Sequence, residues 1–166
     1  QRNNLKKFYR LGNTWTNNLA FNKTFQDGAV RFSAGDLRNN SVMPNSGLNR
    51  QNLILSGSYK LFKRLTIDAK ANYILENAKN RASLGDTPGN ANYGVVIIAN
   101  SVDIDNLKDA VNSQGEEIGT SSNVFATNPW FAAYKMVRNT GRDRLISSLN
   151  LRYDFDNGLY AQGRIG

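Results

Sequence analysis

Asp103, Asp105 and Asp109 stand close enough in sequence to suggest a cation site, and Trp130, Phe131 and Tyr134, just after Asn128-Pro129, have the types for a stacking platform. The aspartates lack the Gly-centred loop and distal Glu of an EF-hand. Asp103 or Asp105 therefore reads as the cap of a short helix carried by Ile104, Leu107 and Val111, and no metal site is expected. Aromatic faces stack on sugar rings and on peptide side chains. Trp130, Phe131 and Tyr134, with Tyr93 upstream, are thus candidate ligand contacts, and packing within their own loop is the plainer reading. Proton-transfer chemistry has little to work with: the 166 residues include no His and no Cys. That removes the commonest general base and metal ligand, the thiolate nucleophile and any disulfide. Carboxylates are present, but no acid and base stand in a recognisable catalytic setting, so neither catalysis nor a cofactor is expected.

The elements that position these residues are strands. Over residues 51–76 two runs of strict alternation flank a tight basic turn. Leu53, Leu55, Gly57 and Tyr59, then Leu65, Ile67, Ala69, Ala71, Tyr73 and Leu75, share one parity; Ser56, Ser58, Asp68, Lys70 and Glu76 share the other. A period of two means strand, with one apolar and one polar face. The same pattern predicts six strands, at about residues 14–22, 29–35, 52–60, 65–76, 144–155 and 159–166. Asp68, Lys70, Arg144, Arg152 and Asp154 then fall on the polar face, where they are expected to pair across strands. Residues 1–13 read as a loop. Pro44 interrupts a longer connection over 36–50, and a loop of 67 residues spans 77–143. Within that loop, residues 94–99 read as a short packed strand.

Two environments suit such strands: a soluble β-sandwich acting as a ligand-binding module, or a transmembrane barrel with its apolar face on lipid. Runs of about ten residues, tilted about 45°, match the roughly 25 Å apolar band of an outer-membrane barrel, whereas soluble strands are nearer five or six. The connections alternate short and long. Tight turns at 23–28, 61–64 and 156–158 would face the periplasm, and the long loops would face outward. Aromatics fall where membrane girdles belong: Trp15 and Tyr73 toward the outer ends, Phe21, Tyr59, Tyr153 and Phe155 toward the inner ends. No apolar run approaches the about twenty residues of a membrane helix, and mean hydropathy is negative. The formal charge of +8 is spread among Asn, Asp and Ser rather than gathered into a stripe, which argues against nucleic acid. Six strands cannot close a transmembrane barrel, and the run ending at Gly166 stops in mid-alternation, so the sequence is expected to be a fragment of a longer chain.

Several stretches in order resemble the TonB-linked outer-membrane transporters of the SusC/RagA family. They are Phe8-Tyr9-Arg10-Leu11-Gly12 with Asn17-Asn18; Val30-Arg31-Phe32-Ser33; Met43-Pro44-Asn45-Ser46; and Asn49-Arg50-Gln51-Asn52-Leu53. Residues 65–73, Asn128-Pro129-Trp130 and Arg142-Asp143-Arg144-Leu145-Ile146 continue the likeness, which covers essentially the whole chain. The resemblance implies an all-β, 22-stranded, plugged transmembrane β-barrel in the bacterial outer membrane that imports nutrient oligomers, glycan or peptide. This chain would be a mid-barrel wall segment. It also implies a SusD-like lipoprotein lid, coupling to TonB through regions outside these residues, and a plug facing the charged wall. Tyr93, Trp130, Phe131 and Tyr134 would then be candidate contacts to ligand or lid.

Overall fold

The structure is a computed structural model that describes residues 3–119, 121–155 and 157–166. Gln1 and Arg2 of the expected N-terminal loop, and Asp156 of the expected last turn, lie outside the described residues. In chain order the elements are α1 (Asn4–Phe8), β1 (Asn13–Phe25), β2 (Gly28–Asn40), β3 (Gly47–Leu61), β4 (Leu65–Lys79), α2 (Ala91–Ile97), a 3₁₀ turn (Ile104–Leu107), α3 (Pro129–Tyr134), β5 (Thr140–Asp154) and β6 (Tyr160–Ile165). The fold is mostly antiparallel β. Its six strands form one sheet in sequence order, β1 to β6.

All six expected strands form, and β1 to β5 run longer than their apolar alternation. β2 continues five residues beyond Gly35, and β3 starts at Gly47 rather than near Asn52. In those extensions the apolar parity turns polar and the lone Leu37 and Leu48 fall on the other parity, so the hydrophobic pattern breaks there while backbone pairing continues. The β3–β4 reversal follows an unusual route. Arg64 N–H donates to Leu61 O at 3.2 Å across Phe62 and Lys63, which have φ of +50° and +61°. This is a type I′ turn built without the usual Asn-Gly pair.

The chain divides into two compact units. The first comprises Gln1–Thr14, Arg38–Asn49 and Asn77–Thr140, and the second Trp15–Leu37, Arg50–Glu76 and Gly141–Gly166. The second unit is sheet. Its β5–β6 register places Leu149 opposite Ile165, Leu151 opposite Gly163 and Tyr153 opposite Ala161 on one face; Asn150–Arg164, Arg152–Gln162 and Asp154–Tyr160 pair on the other. Trp15, Leu19, Phe21, Leu53, Leu55 and Leu145 of the apolar parity are 40–71% exposed. No apolar side chain described in this unit is buried.

The buried apolar residues all belong to the first unit. Phe8, Met43, Ala91, Val95, Ile104, Ala132 and Ala133 form its core, with Tyr9, Ile98 and Trp130 packed against them. Three expectations are corrected here. The short strand at 94–99 is instead the end of helix α2. Asn90 caps that helix, its Oδ1 accepting from Asn92 N–H at 3.1 Å. The β-branched run Val95-Val96-Ile97 is overridden because Ala91, Gly94 and Val95, at i, i+3 and i+4, fit the core as a helix. Gly94 lies so close to the Thr127 carbonyl and the Pro129 ring that a Cβ has no room there. Second, the N-terminal loop contains α1, held by Asn4, whose side chain bonds Val102 O and Ile104 N–H. Third, the helix expected through Val111 stops as a 3₁₀ turn at Leu107; Val111 forms an isolated bridge with Glu117. Its expected cap is present: Asp103 Oδ1 accepts from Asp105 N–H at 3.1 Å.

Candidate functional site

Two groups of side chains gather polar or aromatic chemistry, one in each unit. In the first unit, Asn128 is fully buried and organises α3. Its Oδ1 accepts from Trp130 and Phe131 N–H at 2.9 and 3.4 Å, while its Nδ2 donates to Leu107 O and Ile118 O at 3.0 and 2.9 Å. Pro129 occupies the first turn, where its missing N–H costs nothing. The helix so formed delivers the expected aromatic cluster, but turns most of it inward. Trp130 meets Phe8 edge-on at 5.0 Å and donates Nε1–H to Ile104 O at 2.9 Å. Phe131 and Tyr93 are half-buried; Tyr134 alone of the four is exposed, stacked on Trp130 at 6.2 Å between ring centres. Trp130 thus serves packing, and Tyr134 keeps an open face.

The aspartates near the 3₁₀ turn are paired with cations. Lys7 Nζ donates to both Asp103 oxygens, at 2.7 and 2.8 Å, and lies 3.0 Å from Asp105; Lys108 lies 2.9 Å from Asp105. The Asp103 hydrogen bond, then that to Asp105, raises the Lys7 pKa above its ordinary value. Lys108 first and Lys7 second hold the Asp105 carboxyl below the usual carboxylate range. Burial pushes the Tyr9 phenol up; its hydroxyl donates to Asn92 Oδ1 at 2.9 Å. Among the described residues no group of three His, Cys, Asp or Glu side chains is placed to hold a metal ion.

In the second unit the polar parity forms a shallow cleft of about 660 Å³. Its shape follows from side-chain length. Arg31 on β2, Lys70 on β4 and Arg164 on β6 are separated by Ser56 and Ser58 on β3 and Ser148 on β5, whose short side chains leave the intervening floor open. A chain of bonds crosses that floor. Gln162 Nε2 donates to Asn150 Oδ1 at 2.7 Å, Asn150 Nδ2 to Asp68 Oδ2 at 3.0 Å, and Ser58 also bonds Asp68. Arg31 Nη1 donates to Asn22 Oδ1 at 3.2 Å. The expected cross-strand pairing of Asp68, Lys70, Arg144, Arg152 and Asp154 is not seen among the described residues: Asp68 bonds neutral partners, and the one ion pair among the five lies within β5. Arg152 bonds Asp154 from Nε and lies over the Tyr160 ring at 4.2 Å; Lys70 and Arg144 find no charged partner among the described residues. Arg50 grips the buried Glu76 through Nε and Nη2, a pair that sequence parity could have supplied because both residues share the polar face.

The expected girdle residues Trp15, Phe21, Tyr59, Tyr73, Tyr153 and Phe155 are 37–67% exposed. Trp15 is third in β1, Tyr59 third from the end of β3 and Tyr153 next to last in β5. Phe21 and Tyr73 are ninth in strands of 13 and 15 residues, further from the ends than the shorter expected strands implied. Chemically, the cleft offers charge and hydrogen bonds aimed outward from a rigid wall, an arrangement suited to binding. No family model matches this chain, and no curated protein matches it. No described helix is long and apolar enough to cross a membrane, which says nothing of a β-barrel.

Proposed function

We propose that this chain is a wall segment of a large, plugged outer-membrane β-barrel of the SusC/RagA type, importing glycan or peptide oligomers beneath a SusD-like lipoprotein and coupled to TonB through other parts of the protein. One observation carries the reading: a single six-stranded sheet leaves its large apolar side chains open on one face, while every buried apolar residue belongs to the other unit. In water a contiguous face of Trp, Leu and Phe is strongly disfavoured, and a sandwich would cover it with a second sheet. In lipid it is the required surface. Strands of 13–15 residues exceed the about 9–11 needed to span the hydrocarbon. The opposite face, with its hydrogen-bonded polar ladder, suits a lumen. The folded unit between β4 and β5, presenting Tyr134, suits an outer loop near substrate or lid. Outer-membrane fractionation of the full-length protein, with electrophoresis of unheated and heated samples, tests the proposal. Heat-modifiable migration in the outer-membrane fraction is expected. A monodisperse protein in the soluble fraction without detergent refutes it.

A further inference from the structure

We infer that the polar face of the sheet is an anion-selective wall, whose cleft takes an oligomer bearing carboxylate or sulfate groups; this rests on the transport reading above and narrows its substrate class. On the polar parity the cleft is lined by three cations, Arg31, Lys70 and Arg164, and by a single carboxylate, Asp68. Asp68 bonds the neutral Ser58 and Asn150 and forms no ion pair with the cations, so its charge offsets one of them and leaves the cleft net positive. Lys70 and Arg164 have no acidic or hydrogen-bonding side-chain partner among the described residues, and Arg31 bonds only the neutral Asn22. Elsewhere on this face the carboxylates are spent locally, Glu76 on Arg50 and Asp154 on Arg152.

Such an imbalance has a physical consequence. Like charges held on one concave wall repel each other and focus a positive potential into the cleft, a cost that is offset when an anion enters. Guanidinium groups suit the task, because each presents a planar fork that matches a carboxylate or sulfate with two parallel hydrogen bonds. The serines between the cations leave room for a polymer backbone, and the volume lies within the about 300–1,000 Å³ of ordinary ligand sites. The formal charge of +8, scattered in sequence, becomes local through the sheet.

The test uses the full-length protein, purified in detergent from the outer-membrane fraction, and two probes of equal length: hexagalacturonate, carboxylated, and maltohexaose, neutral. Calorimetry at low salt is expected to show at least tenfold tighter binding of the carboxylated probe. Raising the salt to about 0.5 M should weaken that binding in the unmutated protein, since exposed charges are screened over a few ångströms there. Lys70→Gln and Arg164→Gln should each lower affinity for hexagalacturonate about tenfold and affect maltohexaose far less. Equal affinities for the two probes, no salt dependence, or full affinity in both variants overturns the inference. So does a wild-type protein that binds neither probe because an acidic segment already occupies the wall. Fractionation of the same preparation separates the two failures: correct membrane location with no anion preference refutes this inference alone, whereas a soluble protein refutes the transport reading beneath it.

Discussion

Replacing Asn128 with Ala removes one acceptor and one double donor from a position with 0% exposure. Three losses follow. The cap of α3 disappears as Trp130 and Phe131 N–H lose Oδ1, worth about 1 kcal/mol. Leu107 O, on a residue 7% exposed, loses its donor, and a buried carbonyl left unpaired costs about 1–3 kcal/mol. Ile118 O loses the other donor, but Ile118 is 40% exposed and water can reach that carbonyl, so about 1 kcal/mol suffices. The sum is about 3–5 kcal/mol, or roughly a hundredfold or more in the local opening equilibrium. Asn128→Asp separates the contributions. It keeps the cap acceptors but sets a carboxylate against two carbonyls, so it should destabilise at least as much as Ala. Asn128→Ser, which retains a capping oxygen, should recover about 1 kcal/mol over Ala. Hydrogen exchange by mass spectrometry on the intact protein reads the effect in peptides covering α2 and α3, because both pack in one core. Protection within about twofold of wild type in Asn128→Ala, or wild-type behaviour in Asn128→Asp, would refute the hub.

Leu149→Arg places a charge on the apolar face opposite Ile165; in lipid the cost is about 2–4 kcal/mol near the midplane, against less than about 0.5 on a wetted surface, so folding into bilayers decides between them. Lys63→Gly relieves a left-handed residue in the β3–β4 turn and should stabilise by about 1 kcal/mol, read as a higher denaturation midpoint; a lower one would mean that the Lys63 side chain contributes more than its backbone strain costs. The Lys7–Asp103–Asp105 link carries a pH signature. The Asp105 pKa is lowered, so its contribution is present above the ordinary 3.8 and lost as pH falls through the lowered value. Lys7 and Tyr9 are raised, so theirs are present below the ordinary 10.5 and 10.0 and lost as pH rises through the raised values. Lysine Nζ NMR should find Lys7 titrating above 10.5; Asp103→Asn should bring it down, and an unchanged titration would break the link.

The strands were legible because each separates two environments, so parity repeats along it. Their ends were not. At Asp36, Arg38 and Asn40 in β2 and at Asn49 in β3 the apolar parity turns polar, while Leu37 and Leu48 fall on the other, so the alternation breaks and the backbone ladder carries the strand onward. The first unit was harder still. Helices of five to seven residues show at most two turns, too few for a 3.6-residue period, and their core consists largely of Ala91, Ala132, Ala133 and the close approach at Gly94, small residues that sequence patterning does not count as core. At Asn128-Pro129 a signal is present where only loop is expected: a capping residue followed by Pro is a helix start, and α3 begins there.

The cleft was half legible, and the half that was missing is a matter of topology. Alternation puts Arg31, Lys70 and Arg164 each on the polar parity of its own strand, yet they are 39 and 94 residues apart and nothing local links them. Sheet order links them: β2, β4 and β6 are alternate neighbours, and β3 and β5 contribute serine between. Cations placed on adjacent strands could have been paired by cross-strand carboxylates, as Arg50 is by Glu76. Cations on alternate strands, with hydroxyls between them, cannot be paired that way, and their charge is left facing outward. A sequence scan for basic stripes therefore finds scatter where the folded sheet has a patch.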